Sequence, residues 1–90
     1  ATPRVDVWAL GVTAYQLLAG RAPFVLEGLP MSAAAQRLLQ DEPTSLARLV
    51  PALRGDVATI VHTALAKDPA RRYADAGAFA ADLRRLQANE

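Results

Sequence analysis

The residues able to do chemistry are few. The 90-residue chain has no cysteine, one histidine (His62), nine acidic and ten basic side chains, for a net charge of +1. Without cysteine there is no disulfide framework and no thiolate nucleophile, and a single histidine argues against a histidine-based metal site. His62 falls off the apolar stripe of its segment and is expected to face solvent. Arg71-Arg72 and Arg84-Arg85 read, on residue type alone, as solvated pairs. Asp6 is different. It heads DVWALGVTAYQLLAGRAPF, where only Thr13 and Gln16 are clearly polar between Val7 and Ala19. A helix that is apolar all round belongs in a core or a membrane, and about 13 residues fall short of the roughly 20 that span a bilayer. The run therefore predicts a buried helix with a charge at its buried mouth. A carboxylate buried there needs N–H donors, since leaving it unpaired costs several kcal/mol. The nearest donors belong to the first turn of its own helix, with Asp6 as N-cap.

Helices must position these groups, because no strand-like alternation persists and helical spacing recurs. The first helix is expected over residues 6–19. Gly20 suits its C′ position, Pro23 prevents its continuation, and Gly11 inside it predicts close approach of a neighbouring segment. Ser32 is the expected cap of a second helix over 33–40, closed by Asp41-Glu42-Pro43. One turn is expected at 46–49, where Pro51 forbids a long helix. A third helix over 56–66 presents Val57, Ile60, Val61, Ala64 and Leu65 as one stripe and stops at Asp68-Pro69. Asp75 caps a last helix over 75–87, with Ala76, Phe79, Ala80, Leu83 and Leu86 inward and Asp82, Arg84 and Arg85 on the wet side. The fold class is all-α, about four helices around a central apolar one. At 52% hydrophobic residues the chain is globular, and its length suits one small core. The small net charge and dispersed arginines argue against a nucleic-acid-binding helix-turn-helix, and no membrane segment or secretory signal is visible.

Two segments carry a resemblance. DVWALGVTAYQLLAGRAPF resembles the protein-kinase pattern D-V-W-S-L-G-V-x-x-Y-E-L-L-x-G-x-x-P-F, the central helix of the kinase C-terminal lobe. About 50 residues on, DVATIVHTALAKDPARRYADAGAFAADLRRL is similar to the end of that lobe, with its A-L-x-K-D-P-x-x-R-Y core and a final helix ending A-D-L. The style is that of bacterial, eukaryotic-type serine/threonine protein kinases. The resemblance implies that residues 1–90 are a partial kinase domain, running from the central helix of the C-lobe to the last one. It implies that Asp6 accepts backbone N–H groups of the catalytic loop, and that Arg72 pairs with the glutamate of an A-P-E motif, a pairing that suits a planar guanidinium. Leu17 matches a position supporting the hydrophobic stack on the adenine side, and Thr13 another that is usually aliphatic. Trp8 is expected in the core. The stretch between Ser32 and Gln40 corresponds to a docking surface for substrates or regulators.

Kinase chemistry positions ATP, metal and the acceptor hydroxyl, and needs a Gly-rich loop, a strand lysine, H-R-D-x-x-x-x-N and D-F-G. None occurs here, and the only histidine is followed by Thr63. No catalytic, cofactor-binding or metal-ligating residue is therefore expected in this chain. ATP and Mg2+ belong to the parent, a cytoplasmic kinase, and the missing remainder of the domain is the first expected partner. The 90 residues alone are expected to be inactive and to be marginal, dimeric or molten, with apolar surface of Val7, Leu10, Ala14 or Leu18 uncovered. The alternatives are a pseudokinase piece and a stand-alone helical binding module.

Overall fold

Five α-helices and two 3-10 turns make up the computed structural model, which describes residues 3–88. Helix α1 spans Pro3–Ala19, α2 Met31–Gln40, α3 Leu46–Leu49, α4 Asp56–Ala64 and α5 Ala76–Ala88. The 3-10 turns are Pro51–Leu53 and Pro69–Arg71. The all-α class and the four expected helices are present, and the single turn at 46–49 is the fifth.

Helix α1 starts three residues earlier than expected, so Asp6 lies in its first turn and is not its cap. Proline at the first position explains the early start, since its missing N–H would have no partner there and its φ is already helical. Gly20 ends the helix as expected, with φ +74° and its N–H on the Gln16 carbonyl at 2.9 Å. Ser32 does not cap α2: the cap position is Pro30, with no side-chain bond, and Ser32 lies inside the helix. Asp75 does cap α5, accepting from the Ala78 N–H at 2.9 Å. Asp68 likewise accepts from the Ala70 N–H at 3.0 Å and starts the 3-10 turn.

The core sits where α1, α4 and α5 meet, with α3 closing one side. Val7, Gly11 and Tyr15 form the buried stripe of α1, four residues apart. The remainder of α1 is not buried. Leu10 and Leu18 are exposed and Leu17 is 81% exposed, so the expected all-round burial is corrected to one covered face and one open one. Val7 is fully covered and Ala14 partly so, while Leu10 and Leu18 are open as expected. Helix α4 buries Ala58, Ile60, Val61 and Ala64, with Leu65 just past its end, and Val57 of the expected stripe is only half-buried. On α5 only Phe79 is fully covered; Ala80, Leu83 and Leu86 are half-buried and Ala76 is exposed.

Gly11 is where α1 touches α4 most closely. A Cβ placed on it would stand 2.9 Å from the Ala64 Cβ and 3.2 Å from a Leu65 methyl. The helix thus accepts a residue about 1 kcal/mol worse than alanine because the Ala64 and Leu65 side chains need the space. Gly11→Ala should therefore lower stability by about 1–3 kcal/mol despite its better helix propensity. Adding Ala64→Gly should recover part of the loss. Urea unfolding of the single and double variants checks both, and a stabilised Gly11→Ala chain would contradict the packing.

Candidate functional site

The side chains that the resemblance singles out lie around the N-terminal half of α1 and the turn that follows α4. Asp6 is exposed and, among the described residues, accepts no hydrogen bond. The buried mouth expected for it is absent among the described residues, where the first turn of α1 from Pro3 to Asp6 is exposed. Arg72 is half-buried and well used. Its Nε donates to the Ala66 carbonyl at 2.7 Å, and its Nη atoms donate to the carbonyls of Lys67 at 3.4 Å and Arg4 at 3.3 Å. No carboxylate pairs with it among the described residues. The guanidinium takes up carbonyls left free past the end of α4 and ties them to the start of α1. Helix α4 ends at Ala64, two residues early: the Leu65 N–H is shared between the Val61 and His62 carbonyls, the Ala66 N–H tightens onto Thr63, and Arg72 takes the Ala66 and Lys67 carbonyls.

Trp8 is half-buried and stacks on Phe24, with centroids 6.2 Å apart and planes at 16°. The Lys67 ammonium lies 4.3 Å from the Phe24 centroid and donates to the Leu38 carbonyl at 2.6 Å. Arg37 donates to the Val25 carbonyl at 2.8 Å and pairs with Asp41 at 3.4 Å. These contacts hold α2 against the body, since α2 buries no residue and leaves Met31 and Leu39 exposed. The expected docking stretch between Ser32 and Gln40 is thus a helix fastened at its edges, with Leu39 outward and Leu38, Ala33 and Ala34 half-buried. Leu17 is solvent-facing and gathers no other candidate residue around it, and Thr13 bonds back to the Ala9 carbonyl at 3.2 Å within its own helix.

His62 corrects the sequence reading. It is half-buried, its Nε2 accepts the Leu46 N–H at 3.0 Å, and its ring meets Tyr15 edge-on at 6.0 Å. A residue off the apolar stripe becomes buried because α3 folds over that side of α4. Burial pulls its pKa below the ordinary histidine value, against the opposing effect of Glu42. Tyr15 donates to the Thr44 carbonyl at 2.5 Å, and burial raises its phenol pKa against the lowering effect of Arg21. A phenol in an apolar run needs a partner when buried, which is the one sequence signal that marks Tyr15. Asp82 is likewise not simply wet: it accepts from the Tyr73 hydroxyl at 2.7 Å and pairs with Arg85. Burial raises the Tyr73 pKa, with Arg85 pulling the other way.

An open cleft of about 570 Å³ runs beside α4, lined by Ser45, Thr59, His62, Thr63 and Arg71 among others. No three His, Cys, Asp or Glu side chains gather to hold a metal among the described residues.

The sequence of the chain has counterparts in known proteins. No protein-family profile matches the chain. It is 41% identical to the probable serine/threonine-protein kinase PknB of Corynebacterium glutamicum over 93 aligned residues, covering 99% of this chain and 14% of that protein. It is 45% identical to a serine/threonine-protein kinase of Myxococcus xanthus over 76 residues, covering 84% of this chain and 11% of that one. It is 42% identical to the serine/threonine-protein kinase PknL of Mycobacterium tuberculosis over 83 residues, covering 92% and 20%. By sequence the chain belongs with the bacterial serine/threonine protein kinases. It spans between about a tenth and a fifth of the length of these relatives. Within this kinase segment Arg72 acts on backbone carbonyls.

Removing that guanidinium should cost stability without any change at Asp6. Arg72→Ala is expected to lower unfolding free energy by about 1–3 kcal/mol. Arg72→Met, which keeps the stem and loses the donors, should do nearly the same, as read by thermal melts followed by circular dichroism.

Proposed function

We propose that residues 1–90 form part of a protein kinase domain, the helical C-lobe from its central helix to its last, and that the parent transfers the γ-phosphate of ATP to serine or threonine hydroxyls of proteins. The observation that carries this reading is identity above 40% to curated serine/threonine kinases along nearly the whole chain. The chain's own part is scaffold. Asp6, exposed here at the head of α1, is free to receive N–H donors of a catalytic loop. Arg72 would exchange its carbonyl partners for the glutamate of the preceding A-P-E motif, a stronger charge-assisted and bidentate pairing. Trp8 supports the turn after α1 through Phe24. Leu17 offers an apolar side chain to the part of the lobe that underlies the adenine.

ATP and Mg2+ are cofactors of the proposed parent, and the residues of this chain do not fit either group. There is no Gly-rich phosphate loop or D-F-G in the sequence, and the acidic residues do not cluster among the described residues. No step of phosphoryl transfer is therefore assigned to them. Met31 and Leu39 on the outer side of α2 support a docking role for the stretch from Ser32 to Gln40, toward protein substrates or regulators. No described helix is long and apolar enough to cross a membrane. A cytoplasmic location for the kinase domain is part of the proposal.

The test joins the chain to its upstream reading frame. Purified 90-residue protein with ATP, Mg2+ and a serine-rich protein acceptor should transfer no phosphate. A longer product carrying H-R-D-x-x-x-x-N, D-F-G and A-P-E upstream should transfer it. In that product, Asp6→Ala should lower kcat by at least tenfold with little change in expression. Phosphate transfer by the 90 residues alone would overturn the scaffold assignment, and an upstream frame with degraded motifs would make the parent a pseudokinase.

A further inference from the structure

The segment between α2 and the 3-10 turn Pro51–Leu53 is tied to the rest of the molecule by one fully buried side chain, the partial packing of Ala47 and Leu49, and two side-chain hydrogen bonds. Leu46 is fully buried between Tyr15, Ala58, Val61 and Leu65. Two side chains reach it from the core: Tyr15 of α1 holds the Thr44 carbonyl, and His62 of α4 holds the Leu46 N–H. The remaining backbone bonds of residues 45–54 are local ones, such as Leu49 to Ser45 and Val50 to Leu46. Helix α3 has four residues, and prolines at 43 and 51 stand on either side of it. A helix of one turn does not hold itself together, because its nucleation cost is not recovered by propagation. Its order depends on what pins it.

One pin carries a proton-sensitive atom. An imidazole nitrogen that accepts an N–H must be unprotonated, so the neutral ring of His62 carries its proton on Nδ1. Protonation of Nε2 turns the acceptor into a donor that faces another donor. We propose that His62 is a proton-operated latch: its neutral Nε2 holds α3 on the core, and taking up a proton releases residues 43–50 while α1, α4 and α5 stay folded.

The groups facing the ring are few and can be named. Tyr15 of α1 meets it edge-on, Glu42 precedes α3, and Lys67, Asp68 and Arg71 of the turn after α4 share a cleft with it. Glu42 favours the protonated ring, while burial, the larger effect, disfavours it. The sign follows. With the folded-state pKa below the ordinary value of about 6.5, the open segment binds more protons than the closed one as pH falls through that value. The latch contribution is complete above about pH 6.5 and is lost progressively below it. His62 is the only histidine in the chain, so no other imidazole contributes in this window. Release uncovers the apolar site that Leu46 fills, which makes the device a means of exposing sticky surface on acidification. This inference stands on the contacts of the 90 residues and does not depend on the parent's activity.

The experiment is backbone amide exchange on the 90-residue chain by NMR, from pH 7.5 to 5.5, corrected for intrinsic exchange. The Leu46 amide should lose protection steadily over that range, by at most about tenfold, because at most one proton is taken up on opening. The Val61 and Ala64 amides of α4 should keep theirs. In His62→Gln, whose amide oxygen accepts at every pH, Leu46 protection should be flat. In His62→Phe it should be low throughout. An unprotected Leu46 at pH 7.5, a flat wild-type profile, or a parallel loss in α4 would each overturn the latch. If neither variant folds, the wild-type ratio of Leu46 to Val61 protection decides alone.

Discussion

The contact of Gly11 with Ala64 and Leu65 is the constraint on which the other contacts depend. It seats the side chains at the end of α4 against the backbone of α1 and so sets which residues of each helix face the other. On one side of that point Val7 meets Ile60, Ala64 and Phe79. On the other, Tyr15 meets Val61, Leu65 and Leu46. A larger residue at position 11 would push the helices apart along both clusters at once, because packed interiors have little slack to absorb a methyl group. Ala14 touches both clusters and carries the packing across the contact.

From that crossing the polar contacts follow. Tyr15 and His62 end up on the same side, edge to face, and together hold the chain at Thr44 and Leu46. Arg72 ends up beside the start of α1 and bridges it to the end of α4 through carbonyls alone. Both arrangements satisfy buried or half-buried polar groups with backbone partners, as most side-chain hydrogen bonds in proteins do. They also explain why the two ends of α4 differ. Its start follows Gly55, at φ +99° and without a side-chain cap, whereas its end is drawn into a tight turn whose free carbonyls are taken by Arg72.

The exposed side of α1 fits with the kinship. Leu10, Leu17 and Leu18 give the helix the composition of a core element, and in this chain only one of its faces is covered. The relatives extend well beyond the aligned segment. Apolar side chains left open in contiguous stretches are characteristic of interfaces. Asp6 has the same character in polar form: a carboxylate placed at a helix start, where negative charge is favoured, with no donor bonded to it among the described residues.

Much of this was legible residue by residue. Apolar spacing marked α4 and α5, Asp75 and Gly20 marked helix ends, and Gly11 announced a close approach, because each of these signals acts within one or two turns of chain. The D-V-W and K-D-P-A-R-R-Y segments disclosed the kinship for the same reason: motifs are local. Helix ends were less legible where a distant group took part, as at Ala64, whose following carbonyls are claimed by Arg72. Covered faces were least legible. The apolar run of α1 states that burial is wanted but not which neighbours are present to supply it, so Leu17 is open and Asp6 wet. His62 lies off the stripe of its own helix, and only the fold-back of α3, 16 residues away in sequence, turned it from a solvent-facing side chain into a half-buried acceptor. The sequence by itself determined the presence of the helices, the ends at Gly20 and Asp75, and the family, because those depend on near neighbours. The tertiary structure decided which faces are covered and which polar atoms meet, because those depend on elements distant along the chain.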